Sequence, residues 1–282
     1  MVISPSSLAS TAPLSSVNAG DAVLAVSMRG AEHVPTVLFA HGFGQTRHAW
    51  EASAMTLADK GYRTLSYDAR GHGDSSCNAA DQPYSATQFT DDLIVLAEAR
   101  WPGLFRAIVL VDITPRWDTT GVERILRYMT AHPDGFASLD AAADAIAAYL
   151  PHRPRKTPGQ LQTLLRQRAD GRWHWHWDPR LVDELAGQDA QLQQHALLEA
   201  AAQVRCPMLL ISGGRSDLVT PANTAEFLSI AQHVHLPDAT HMLAGDDNTT
   251  FTATVLHYLD ALPAACTIAA SNTTEHVTGA RP

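Results

Sequence analysis

Short apolar runs recur along the chain, separated by longer stretches in which apolar residues return at helical spacing. The runs 22–28, 35–40, 62–67, 106–112, 207–212 and 232–236 have the length and residue types of strands. Between them, Trp50 to Lys60 has helical spacing and stops at Gly61, a residue that readily takes the left-handed conformation ending a helix. Pro221 sits where a first helical turn tolerates a missing N–H, and Thr249 to Ala261 reads as a last helix packed on the sheet. Strands alternating with helices predict an α/β fold: a mostly parallel sheet flanked by helices.

The stretch 115–202 behaves differently. Its helical segments are rich in Ala, Leu and Gln, are broken at Pro151, Pro154 and Pro158, and include no convincing buried strand. It predicts a helical lid inserted between two core portions, 21–114 and 203–262. Within it, Trp173-His174-Trp175-His176-Trp177 alternates with period two, so an extended backbone places three indoles on one face and two imidazoles on the other. The indole face either packs the lid or roofs an apolar substrate pocket. The two histidines lack a third ligand at a sensible spacing, and no metal site is expected. Residues 1–20 and 263–282 show little apolar periodicity and are expected to lack stable structure.

Composition narrows the function classes. With 282 residues and 45% hydrophobic content, the chain can bury one α/β core plus an inserted subdomain. A net charge of -9 with dispersed acidic residues argues against nucleic acid or an anionic membrane as partner. No apolar run reaches the length of a membrane span. Cys77, Cys206 and Cys266 form an odd, scattered set, which reads as reduced thiols of a cytoplasmic protein, and the N-terminus lacks the basic and apolar regions of a signal peptide. Oligomeric state stays open.

The candidate chemistry lies in two groups of residues. The first is Thr36-Val37-Leu38-Phe39-Ala40-His41-Gly42-Phe43-Gly44, followed by Asp68 and Arg70-Gly71-His72-Gly73-Asp74-Ser75; the second is Pro207 to Gly214, then Asp217 and Thr240-His241-Met242. On these residues the chain, from about Val34 to Leu262, resembles the α/β-hydrolases of the group that includes epoxide hydrolases, cofactor-free haloperoxidases and small esterases. The resemblance implies a Ser-His-Asp hydrolase of small, apolar ester or acyl substrates, with no cofactor. His241 would be the catalytic base and Asp217 its orienting acid. Asp112, at the end of the strand Ala107 to Val111, is a rival for that acid. The backbone N–H of Phe43 would be an oxyanion-hole donor, fixed and aimed before charge develops.

One expected part is lacking: no five-residue window fits the G-x-S-x-G turn that presents the nucleophile in this fold. The resemblance places it between Thr87–Leu96 and Ala97–Pro102, which here run directly together, so a central strand, its turn and part of a helix are absent, on the order of 30 residues. Ser66, Ser75, Ser76, Ser212 and Ser216 are the hydroxyls near strand ends that could substitute, provided they reach His241. A binding protein without catalysis, or an inactive deletion variant, remain alternative readings. Asp68, Arg70, His72 and Asp74 read as a structural turn rather than a ligand set, and Cys77 as an incidental thiol.

Overall fold

A computed structural model describes residues 14–98, 105–151, 153–182 and 189–263. The chain opens with the hairpin β1 (Leu14–Asn18) and β2 (Val23–Arg29), whose turn is closed by the Asn18 side chain accepting from Gly20 N–H at 3.0 Å, with Gly20 at φ 81°. The expectation that 1–20 lacks structure therefore fails for 14–18, because antiparallel pairing with β2 supplies the order that local periodicity does not. Next come β3 (Thr36–Ala40), α1 (Glu51–Asp59), β4 (Arg63–Tyr67) and α2 (Ala86–Glu98). Gly61 follows α1 at φ 89°, a backbone angle that disfavours residues with a Cβ. These strands make one sheet in the order β1-β2-β4-β3, in which β3 and β4 are parallel.

After β5 (Ile108–Val111) the inserted segment folds as α3 (Thr119–Thr130), α4 (Leu139–Tyr149), the single turn α5 (Pro158–Leu161), the hairpin β6 (Leu165–Gln167) and β7 (Trp173–Trp175), and α6 (Ala190–Gln203). The polar residues before its helices set where they start. Asp118, Ser138 and Asp189 each accept a hydrogen bond from an N–H of the first turn, satisfying a donor that helical geometry leaves orphaned. The core resumes with β8 (Met208–Gly213), α7 (Pro221–Phe227), β9 (Gln232–Leu236), the short α8 (Leu243–Asp246) and α9 (Asn248–Asp260). A second, fully parallel sheet has the order β5-β8-β9.

Alternation along β8 shows the layering. Leu209 and Ile211 pack with Phe251 and Val255 of α9, whereas Met208 and Leu210 pack with Phe227 of α7 on the other face. A parallel sheet covered on both faces needs such a continuous apolar run. The larger cluster also takes in Phe39, Trp50 and Leu57, so one core serves both sheets. Both sheets point the same way. Tyr62, just before β4, bonds Asp260 at the end of α9 (3.0 Å), and Arg106, just before β5, donates to the Pro263 carbonyl close by.

The sheet is divided, however. Among the described residues β3 and β5 are each the last strand of their own sheet, and no ladder joins them. All of β5 is half-buried, whereas all of β8 is buried. No helix of the described residues is long and apolar enough to cross a membrane. Because Leu210 is fully buried against α7, Leu210→Ala is expected to lower unfolding free energy by about 2–5 kcal/mol in urea titrations. Leu192→Ala, at a 69% exposed position, should stay within about 0.5 kcal/mol of the parent.

Candidate active site

Asp112 directly follows β5 and has a φ of 50°, in the left-handed region that a non-glycine residue seldom occupies. Its carboxylate is completely buried and accepts three hydrogen bonds: from Gly213 N–H at 2.9 Å, from the Ser216 hydroxyl, and from His241 Nδ1–H at 2.8 Å. Gly213, at the end of β8, permits the assembly, since a Cβ there would meet the carbonyls of Ala239 and Thr240 at 2.5 and 2.6 Å. The His241 loop is held from its other side by Asp246, which accepts from Thr240 N–H at 2.7 Å and pairs with Arg153 of the inserted segment. Donation from Nδ1 fixes the tautomer and leaves the Nε2 lone pair without a partner among the described residues, on a side chain 35% exposed. A neutral imidazole held in this way can accept a proton and be stabilised as it becomes charged.

The structure brings His241 to Asp112 and leaves Asp217 elsewhere. Asp217 lies in the loop after β8, ion-paired with Arg124 of α3, and its backbone carbonyl sits where a Cβ on Gly121 would stand, 2.2 Å away. Both carboxylates follow strands of the second sheet; Asp112 is turned inward by its unusual φ, and Asp217 is paired with Arg124 of α3. Phe43 packs its ring edge-on against His72 (5.4 Å) and beside Trp177 (6.1 Å), and its amide has no acceptor among the described residues. The candidate hydroxyls are otherwise engaged. Ser75 and Ser76 accept from Ala25 and Val23 N–H, Ser212 bonds His233 and His235, Ser216 serves Asp112, and Ser66 is buried in β4.

The turn after β4 is a hydrogen-bonded knot. Asp68 pairs with Arg47 and accepts from Arg47 N–H and Asp74 N–H at 2.7 and 2.9 Å. Arg70 makes a bidentate contact with Asp92, both arms 2.7 Å, and a further bond to Asp21. Beside it lie three neutral histidines that local spacing does not reveal as a group. Ala69 N–H donates to His41 Nε2 (2.9 Å), Gly44 N–H to His72 Nε2 (3.3 Å) and Gly73 N–H to His176 Nδ1 (2.9 Å). The other nitrogen of each ring donates to a carbonyl: Gly42, Arg70 and Gly44 respectively. Protonation would aim an N–H at an N–H. Burial, reinforced by the neighbouring imidazoles, accordingly pushes His72 down to about 3; burial also pushes His176 to about 4 and lowers His41.

His176 thereby ties the inserted segment to the loop carrying Phe43. Its neighbours Trp175 and Trp177 stack at 4.6 Å and 11°. Trp177 joins Tyr84, Met129 and Leu181, with Phe43 and Ile125 against them, while Trp173 packs with Phe136 and Ala142 inside the insertion. Among the described residues, Trp175 Nε1 and Tyr128 Oη, on rings 6.0 Å apart, are buried without hydrogen-bond partners.

Comparison with known proteins places this geometry in context. The sequence profile of the serine aminopeptidase S33 family matches residues 31–110. An esterase of Mycobacterium tuberculosis is 28% identical over 88% of this chain and 90% of its own length. An epoxide hydrolase of Caballeronia sordidicola is 42% identical over 23% of this chain and 20% of its own length. Among solved structures, the crystal structure of E-2-(acetamidomethylene)succinate hydrolase superposes with a TM-score of 0.74 at 22% identity, covering 88% of this chain and 99% of that one.

The histidine trio predicts an acid-sensitive fold. Their folded pKa values lie below the ordinary 6.5, so the unfolded chain binds more protons as pH falls, and their stabilising contribution, complete above about 6.5, is lost progressively toward about 4. Urea midpoints should fall between pH 7 and 5, and His72→Asn should make that dependence shallower. A midpoint independent of pH across this window would contradict the neutral trio.

Proposed function

The chain is a member of the α/β-hydrolase family, and on that premise we propose that it hydrolyses small apolar esters or related acyl compounds, with Asp112 and His241 as orienting acid and general base. The observation that carries the reading is the 2.8 Å bond from His241 Nδ1–H to the buried Asp112 carboxylate, which leaves Nε2 open. An acyl carbon is attacked by a hydroxyl or water whose proton passes to Nε2. Asp112 stabilises the imidazolium, and the same proton then goes to the departing alkoxide. The Phe43 amide is the donor proposed for the developing oxyanion.

For the substrate wall, the aromatic surface of Trp175, Trp177 and Phe43 offers apolar area, and the unpartnered Trp175 Nε1–H and Tyr128 hydroxyl offer two polar anchors. Trp173 packs with Trp175 against the Phe136 and Ala142 cluster and supports the wall through its backbone pairing with Phe136. The long, full-length likeness to an esterase supports acyl chemistry over epoxide opening, since the epoxide hydrolase likeness covers a short segment.

A second reading is favoured by one observation: among the described residues, no serine hydroxyl donates to His241. In that case the fold binds an ester-like molecule without turning it over, or is an inactive deletion variant. Turnover of p-nitrophenyl acetate and labelling by a fluorophosphonate probe separate these readings. For a hydrolase, His241→Ala is expected to lower kcat/KM about a hundred- to ten-thousandfold, the usual worth of a positioned general base, and Asp112→Asn by a comparable factor. Asp217→Asn should change it little, because the pair it breaks with Arg124 is partly exposed. Equal turnover by the parent and His241→Ala would remove the enzymatic reading; saturable binding without turnover would install the second.

A further inference from the structure

Among the described residues the ring of His241 makes one hydrogen bond, to Asp112, and a single bond fixes an imidazole only as well as its backbone is fixed. That backbone is gripped at both neighbouring residues. On one side the Asp246 carboxylate divides its oxygens: Oδ2 accepts from Thr240 N–H at 2.7 Å and from the Thr240 hydroxyl at 2.5 Å, while Oδ1 pairs with the Arg153 guanidinium. On the other side the same Arg153 nitrogen reaches the Met242 carbonyl at 3.4 Å, and the second terminal nitrogen lies 3.6 Å from the Met242 sulfur. Thr240 and Met242 flank His241, so one arginine and one aspartate bracket the histidine.

The two members of this clamp come from different parts of the molecule. Asp246 ends α8, in the core, whereas Arg153 belongs to the inserted segment, where its own N–H returns to the Leu150 carbonyl at 3.0 Å just beyond α4. Their side chains are 18 and 16% exposed, so the pair is largely withdrawn from water and its loss costs more than that of a surface ion pair. A planar guanidinium suits a position that meets a carboxylate and a carbonyl at once, which the point charge of an ammonium does less well. The Nε–H of Arg153 is buried without an acceptor among the described residues, so the side chain is held there at some cost. A second ion pair between insertion and core, Arg166 with Asp74 at 2.9 Å, falls on the turn after β4 rather than on the His241 loop.

We propose that Arg153 is a positioning residue for His241, acting through Asp246 and Met242 to couple the seating of the inserted segment to the aim of Nε2. The inference rests on the reading of His241 as general base. Its consequence is that the base is correctly aimed only while the segment is docked. Misplacing a catalytic group by about 1 Å costs on the order of a hundredfold in rate, so a contact that touches no reacting atom can matter this much.

The test compares the parent with Arg153→Ala, Asp246→Asn, the double variant and Arg166→Ala. Each is measured for turnover of p-nitrophenyl acetate, for its urea midpoint, and for the downfield proton resonance of His241 Nδ1–H, identified by its absence from His241→Ala. Arg153→Ala is expected to lower kcat about ten- to a hundredfold with KM within about twofold, and to broaden the resonance through exchange with water. The double variant should fall no further than the weaker single one, because both act through one contact. Arg166→Ala should leave kcat and the resonance near the parent. A raised KM with unchanged kcat in Arg153→Ala would overturn the proposal and assign the guanidinium to substrate binding. Equal losses in Arg153→Ala and Arg166→Ala would overturn it as well, reducing Arg153 to general docking, and so would an unchanged resonance in folded Arg153→Ala. If Arg153→Ala does not unfold cooperatively, Asp246→Asn carries the same test, since an asparagine oxygen still accepts from Thr240 N–H. A parent without turnover would defeat the hydrolase reading, and the resonance alone would then decide whether Arg153 positions His241.

Discussion

The buried carboxylate of Asp112 is the interaction on which the candidate-site end of the molecule depends. It joins β5, the end of β8 and the His241 loop, three segments far apart in sequence, through one group that takes a backbone N–H, a hydroxyl and an imidazole N–H. A charge removed from water in this way is tolerated only when its lone pairs are filled, and removal of a partner leaves the remainder exposed to the full desolvation penalty. The left-handed backbone of Asp112 is part of the same arrangement, because the turn aims its side chain across the sheet end. Gly213 completes it by letting two backbones approach more closely than any side chain would permit.

The first sheet ends in a comparable but chemically different knot. There a buried Asp68–Arg47 pair and three neutral histidines stitch the loop after β3 to the turn after β4 and to the inserted segment. Gly44 is the junction: its N–H serves His72 and its carbonyl receives His176. The position of Phe43, and with it the wall formed by Trp175 and Trp177, is thus set by histidines that work only while uncharged. The placement of the Phe43 loop and acid stability are coupled through the same rings.

How these halves meet is the structural problem of the chain. They share a core and a direction, yet among the described residues their backbones do not pair. Hydrophobic burial is non-directional and can hold two sheets together side by side; hydrogen-bond ladders are directional and require a strand at the right spacing. This distinction explains why the residues of β5 sit half-buried beside a β8 that is buried throughout.

Each of the six predicted strands is present with its ends within two residues of the expected ones, because period and residue type are local signals that solvent reads directly. The helix start at Pro221 and the stop at Gly61 are equally local. The strand at 14–18 was not legible, since its order comes from a partner strand rather than from its own pattern. The choice between Asp112 and Asp217 was not legible either: both follow apolar strands, and what separates them is a backbone angle and an arginine on a distant helix. The grouping of His41, His72 and His176 is likewise invisible along the chain, where 31 positions separate the first two and 104 the last two. The sequence alone therefore determined the fold class, the order of elements and the candidate histidine. Only the tertiary structure decided which carboxylate faces it and where the sheet divides, because those depend on contacts between residues that no local period relates.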